Sequence, residues 1–158
     1  MEDIIIEFFK KEIINDYKCD NCERKEKIAK TMEIIKFPRI LIVNVKRFIH
    51  YPIMKKLNNK IAVTEELDLT DFYADPAYDK SKKGRKFMKT EKLNGEYKLK
   101  ALVEHYGTID YGHYIAYCQN EKINGWVLFN DERIRKVSDR NFIEECDSGV
   151  YIMFYEMI

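Results

Sequence analysis

The sequence predicts an α+β chain built on a mostly antiparallel sheet. Three observations carry that reading. Short β-branched or alternating segments at 40–48, 97–105, 113–118, 126–129 and 150–155 are separated by turn-rich stretches. Helical spacing is confined to the start, where Ile4 recurs with Phe8 and Ile5 with Phe9. Aromatic residues make up 13% of the 158, with 11 Tyr and 9 Phe, a composition suited to strands packed on a core.

The elements follow in order. Residues 2–14 read as a helix ended by Asn15-Asp16, and Cys19-Asp20-Asn21-Cys22 as a turn. From Ile28 the apolar period falls toward two, with Ile28, Met32 and Ile34 set among polar neighbours such as Thr31 and Glu33. Pro38 marks a break. The run ILIVNVKRF at 40–48 is nearly continuous and reads as a buried central strand. A short strand is expected at 61–63, then an apolar ladder of Leu67, Leu69 and Phe72. Residues 75–92 are lysine-rich and read as a solvated loop.

Tyr97, Leu99, Ala101 and Val103 are expected on one face of the next strand, with Lys98, Lys100 and Glu104 on the other. A loop at 106–112 leads to a strand at 113–118. The turn at 119–125 carries Asn124-Gly125, and the chain returns at 126–129. Ser138 is placed to cap a short helix through Glu145, before a last strand at 150–155.

Composition narrows the functional classes. With 28 Lys+Arg against 27 Asp+Glu the net charge is +1, which argues against nucleic-acid binding by net positive charge. No apolar stretch approaches the roughly 20 residues of a membrane span. The acidic opening Met1-Glu2-Asp3 is unlike a secretory signal. Four cysteines are too few for a disulfide scaffold, so a reducing intracellular compartment, cytoplasm or nucleus, is expected.

The hairpin at 113–129 carries the first chemical signal. With Cys118 paired to Trp126, His113 falls opposite Asp131, and a one-residue change of register puts it opposite Asn130. Directly opposed side chains lie about 5 Å apart at Cβ. A histidine so placed is a base with an orienter: an Asn or Asp oxygen accepts its Nδ1–H and leaves Nε2 as base. Gly112 leaves space where an extended ligand backbone could pass. Cys118 is no partner for His113: its odd offset along the strand puts it on the other face. Cys146 stands among Glu144, Glu145 and Asp147, neighbours that raise a thiol pKa. Both read as packing residues. Cys19 and Cys22 make half of a tetrahedral zinc site, and no second C-x-x-C or C-x-x-H accompanies them.

These residues, taken together, resemble the ubiquitin-specific proteases, a papain-like family of ubiquitin carboxyl-terminal hydrolases. Tyr17-Lys18-Cys19-x-x-Cys22 resembles the family's fingers. The run from Leu41 to Phe48 is similar to its L-x-I-x-L-K-R-F strand, and Lys56-Leu57-Asn58 and Leu67-Asp68-Leu69 continue the pattern. Tyr97-x-Leu99-x-Ala101 through His105-x-Gly107 resembles the strand before the active-site loop. Gly112-His113-Tyr114-Ile115-Ala116-Tyr117-Cys118, then Trp126-x-x-Phe129-Asn130-Asp131, is the most specific piece.

The resemblance implies the C-terminal half of the catalytic domain: about 1–36 as helix and part of the fingers, 37–158 as palm. It implies thiol-dependent hydrolysis of the bond after the ubiquitin C-terminal glycine. His113 would be the general base and Asn130 its orienter, with Asp131 beside them. Gly112 and Tyr114 would flank the channel for the ubiquitin tail, together with His105 and Tyr106. The loop 106–111 would gate it, and Tyr106 departs from the usual Ser. The N-terminal thumb half and its G-x-x-C-Y cysteine box do not occur in these residues, so the chain is expected to be inactive by itself. The alternative is a catalytically inactive ubiquitin-binding or scaffold module. Expected partners are ubiquitin or ubiquitinated proteins and an N-terminal half or complex subunit, with no nucleic acid and no membrane. No cofactor is required, and zinc enters only if a second cysteine pair is supplied to Cys19 and Cys22.

Overall fold

The computed structural model describes residues 1–74, 94–137 and 149–158. The lysine-rich stretch at 75–92, the helix expected from Ser138, and Cys146 lie outside the described residues. The chain forms two compact units.

The larger unit is the sheet. Its described strands are β3 (Ile40–Asn44), β6 (Glu66–Asp68), β7 (Glu96–Gly107), β8 (Gly112–Asn120), β9 (Gly125–Asn130), β10 (Arg133–Val137) and β11 (Val150–Met157). They run β10-β9-β8-β7-β11-β3, with β6 also on β7, and every pairing is antiparallel. The same unit holds a small hairpin, β4 (Phe48–Ile49) with β5 (Lys55–Lys56). Tyr97, Leu99, Leu102, Val150, Met153 and Tyr155 are fully buried on β7 and β11 and form the core. The two core tyrosines keep their hydroxyls satisfied: Tyr97 donates to the Pro38 carbonyl (2.8 Å) and Tyr155 to that of Thr64 (2.9 Å).

Sequence and structure differ here in instructive ways. The run at 40–48 is shorter as a strand and lies at the sheet edge, with Ile40 and Ile42 exposed. β11, arriving last in the chain, takes the central place between β7 and β3. The alternation along β7 changes phase at a bulge. Tyr155 pairs with Leu99 but Phe154 pairs with Ala101, so Lys100 is the extra residue. Beyond it Leu102 and Glu104 are buried, opposite to the phase that the first half sets. Residues 61–63 form no strand, although Ile61 and Val63 are buried. β10 has no counterpart in the expected elements.

The smaller unit contains helix α1 (Glu2–Phe9) and the hairpin of β1 (Glu12–Lys18) with β2 (Lys25–Lys30). The helix is shorter than expected because Ile13 and Ile14, β-branched, pair with Ala29 and Ile28. Phe9 stacks on Phe72 at 4.5 Å between ring centroids. Ile34 bridges to Tyr73, whose ring lies 5.6 Å from that of Phe37.

Candidate active site

His113 is the second residue of β8, and Asn130 is the last of β9, its neighbour in the sheet. The β8–β9 register is offset by one from the expectation: Cys118 pairs with Val127, and Trp126 with Gln119. The cause is the turn. Only Glu121–Asn124 form it, with the Asn120 side chain accepting from the Lys122 N–H (3.0 Å) and Asn124 in the left-handed region (φ 42°). Gln119 and Asn120 are therefore strand residues. The last pair in the ladder is Ala116 with Phe129. Asn130 stands just beyond it, and its Oδ1 lies 2.7 Å from His113 Nε2.

An amide oxygen only accepts, so this contact makes Nε2 the protonated ring nitrogen and leaves Nδ1 with its lone pair. The sequence reading assigned the two nitrogens the other way round; the ring presents Nε2, not Nδ1, to Asn130. Asp131 follows with φ 51°, and its Oδ2 is 3.8 Å from the same nitrogen. That places Asp131 beside His113 but outside hydrogen-bond range. His113 is about half exposed.

The remaining predicted residues divide between the two faces of β7 and β8. Cα partners share a face. Tyr106 pairs with His113 and so shares its face, while its hydroxyl donates to Glu104 Oε2 (2.8 Å). His105 pairs with Tyr114 on the opposite face, their rings 4.7 Å apart, in an aromatic cluster with Phe48 and Tyr151. The loop is shorter than expected because Tyr106 and Gly107 belong to β7. Gly107 pairs with Gly112, and Thr108 N–H donates to the Tyr111 carbonyl (2.7 Å). Gly107 has φ +107°, a conformation that L side chains rarely adopt.

His105 is 4% exposed, and its pKa is lowered by burial and by the neighbouring Lys56 charge. Arg47 and Glu104 are each 1% exposed. Arg47 donates to the carbonyls of Val150 (2.5 Å), Leu57 and Asn59 (both 2.9 Å). Sequence patterning implies no role for Arg47 or Lys56; the signal for Arg47 is a guanidinium placed inside a run of apolar strand residues.

In the smaller unit Cys19 and Cys22 sit on a tight turn. Cys19 N–H donates to the Arg24 carbonyl (3.0 Å) and Glu23 N–H to that of Cys19 (2.8 Å). Backbone N–H groups of Cys22 and Asn21 on the Cys19 sulfur, with the Cys22 side chain, lower its pKa. Two thiols fit half of a tetrahedral zinc set. Among the described residues no group of three or more His, Cys, Asp or Glu is placed to hold a metal. Cys118 is half-buried, and burial raises its thiol pKa. No helix of the described residues is long and apolar enough to cross a membrane.

Comparison with known proteins gives the family. The family model described as ubiquitin carboxyl-terminal hydrolase matches residues 1–155, and the chain belongs to that family. It is 31% identical to ubiquitin carboxyl-terminal hydrolase 4 of Candida glabrata over 166 residues, covering 99% of this chain and 18% of that protein. It is 34% identical to ubiquitin carboxyl-terminal hydrolase cyk-3 of Caenorhabditis elegans over 139 residues, covering 87% of this chain and 10% of that protein. Among solved structures it resembles the SAGA Ubp8/Sgf11/Sus1/Sgf73 DUB module bound to ubiquitin aldehyde, with a TM-score of 0.77 and 26% identity. That match covers all of this chain and 33% of the other. The chain thus spans between a tenth and a third of the length of these relatives.

Proposed function

We propose that the chain supplies the base-and-orienter part of a deubiquitinase, which cleaves the bond after the C-terminal glycine of ubiquitin. The observation that carries this reading is the 2.7 Å contact between His113 Nε2 and Asn130 Oδ1. Asn130 fixes the tautomer and the ring plane. His113 Nδ1 then takes the proton of a cysteine thiol, and the thiolate attacks the glycyl carbonyl carbon. As the tetrahedral intermediate collapses, the imidazolium returns the proton to the leaving amine nitrogen and a thioester remains. Water, deprotonated by the same nitrogen, releases the ubiquitin carboxylate and the thiol.

The nucleophilic cysteine is assigned to sequence outside these 158 residues. Ubiquitin and ubiquitinated proteins are the proposed partners, with a thumb-bearing half joined to or assembled with this one. The DUB-module neighbour was solved with ubiquitin aldehyde and three further subunits, which supports ubiquitin and complex subunits as kinds of partner. Free thiols at Cys19, Cys22 and Cys118 support a reducing, intracellular setting. Zinc would be held by Cys19 and Cys22 once a second cysteine pair completes the set.

The test is a ubiquitin bearing a C-terminal electrophile, applied to the native protein that carries this chain. Covalent labelling that depends on His113 supports the reading. Equal labelling of wild type and His113→Ala overturns it. Ubiquitin binding without any labelling would instead favour the inactive binding module.

A further inference from the structure

The ladder between β7 and β11 ends at Glu104, which pairs with Val150, and His105 N–H still donates to the Gly149 carbonyl (2.8 Å). In a strand the N–H and C=O of one residue point to the same side, and so does the carbonyl two residues on. The carbonyls of His105 and Gly107 therefore face the β11 side, beyond its last pair with β7 among the described residues. Lys56 takes that place. Its ammonium donates to the His105 carbonyl at 2.5 Å and to the Gly107 carbonyl at 3.3 Å.

Lys56 is itself held. Leu57 N–H donates to the Arg47 carbonyl (2.7 Å), and Arg47 Nη1 donates back to the Leu57 carbonyl. Lys56 is half-buried, and burial, with the nearby Arg47 charge, lowers its pKa. Gly107 is the last residue of β7, and the Thr108–Tyr111 loop then delivers the chain to Gly112 and His113.

We propose that Lys56 is a positioning residue for His113. By bonding the His105 and Gly107 carbonyls beyond the last β7–β11 pair of the described residues, it fixes the root of the Thr108–Tyr111 loop, and so the height at which β8 starts and His113 meets Asn130. This rests on the reading of His113 as the general base.

The experiment compares the 158-residue chain with Lys56→Met, Lys56→Arg and, as a control, the exposed neighbour Lys55→Met. Hydrogen exchange is read at Thr108–His113 and at β9–β10. Losing a charged hydrogen bond should speed exchange at the loop amides by about tenfold, with β9–β10 unchanged. Lys56→Arg should restore slow exchange, and Lys55→Met should not alter it. The ring-nitrogen signals of His113 should report bonded Nε2–H in wild type and Lys56→Arg, and a mixture of tautomers in Lys56→Met. Unchanged loop exchange in Lys56→Met overturns the proposal. So does faster exchange throughout the sheet, which would mark Lys56 as a general stabiliser. The ubiquitin electrophile is then applied to the native protein that carries each form. A loop and His113 that answer to Lys56, with labelling that does not depend on His113, leave the positioning role standing and remove the deubiquitinase reading. His113-dependent labelling with an unresponsive loop does the reverse.

Discussion

The imidazole of His105 occupies the space that a side chain at Gly112 would need. A Cβ built on Gly112 would lie 1.9 Å from His105 Nε2 and 2.8 Å from the Tyr106 carbonyl oxygen. Glycine is thus required immediately before His113 by packing, apart from any ligand that passes there. Gly112→Ala should destabilise the chain by about 1–3 kcal/mol, the usual range for overpacking. Adding His105→Ala to that variant should recover part of the loss and not all of it, because the backbone oxygen remains. Urea denaturation midpoints of the three forms check this, and a Gly112→Ala midpoint equal to wild type would contradict the close approach.

Asn130 fixes one tautomer of His113, so its removal should be visible without any substrate. Nitrogen-detected spectra of the wild type should show protonated Nε2, and Asn130→Ala should show both tautomers. In probe labelling, His113→Ala should lower the rate about 10²–10⁴-fold, the range for a lost general base. Asn130→Ala should cost less, and Asp131→Asn least of all, since Asp131 stands 3.8 Å from the ring.

His105 should make stability depend on pH in a known direction. Its pKa is depressed in the folded chain by burial and by Lys56. The unfolded chain therefore binds the proton more readily, and stability rises with pH between the folded and unfolded values. The contribution is complete above the ordinary histidine range near 6.5 and is lost as pH falls through the depressed folded value. Urea midpoints between about pH 7 and pH 5 should fall more steeply for wild type than for His105→Gln. Parallel profiles would show that His105 is not held neutral.

Cys118 should be slow to alkylate. Burial raises its thiol pKa and covers part of the sulfur. Mass spectrometry after iodoacetamide near neutral pH should find Cys118 modified late in the folded chain and at an ordinary rate in urea. Early modification in the folded chain would contradict the packing on β8.

The strands that carry the site were legible because their signals are local. β8 and β9 are short, β-branched or aromatic, and bounded by turn residues, so His113 and Asn130 could be set on neighbouring strands. The register was off by one because it depends on the Glu121–Asn124 turn and the Asn120 side chain, where sequence signals are degenerate. The ring nitrogen facing Asn130 is a matter of side-chain approach, which spacing does not encode. Partners distant in sequence were not legible. Arg47 on the carbonyls of Val150 and Leu57, and Lys56 on that of His105, join segments that no periodicity relates. The same holds for the edge position of β3, since nothing in 40–48 reveals that among the described residues β3 pairs only with β11.

The central place of β11 also sets an order of assembly during translation. Ile42 on β3 pairs with Phe154, more than a hundred residues later. At ribosomal rates of roughly 5–20 residues per second, β3 waits about 5–20 s for its partner. The β8–β9–β10 meander, by contrast, closes on itself as soon as it emerges. A nascent chain should thus carry the His113–Asn130 pair before β11 joins the sheet, with the β-branched edge of β3 open to chaperones until β11 emerges.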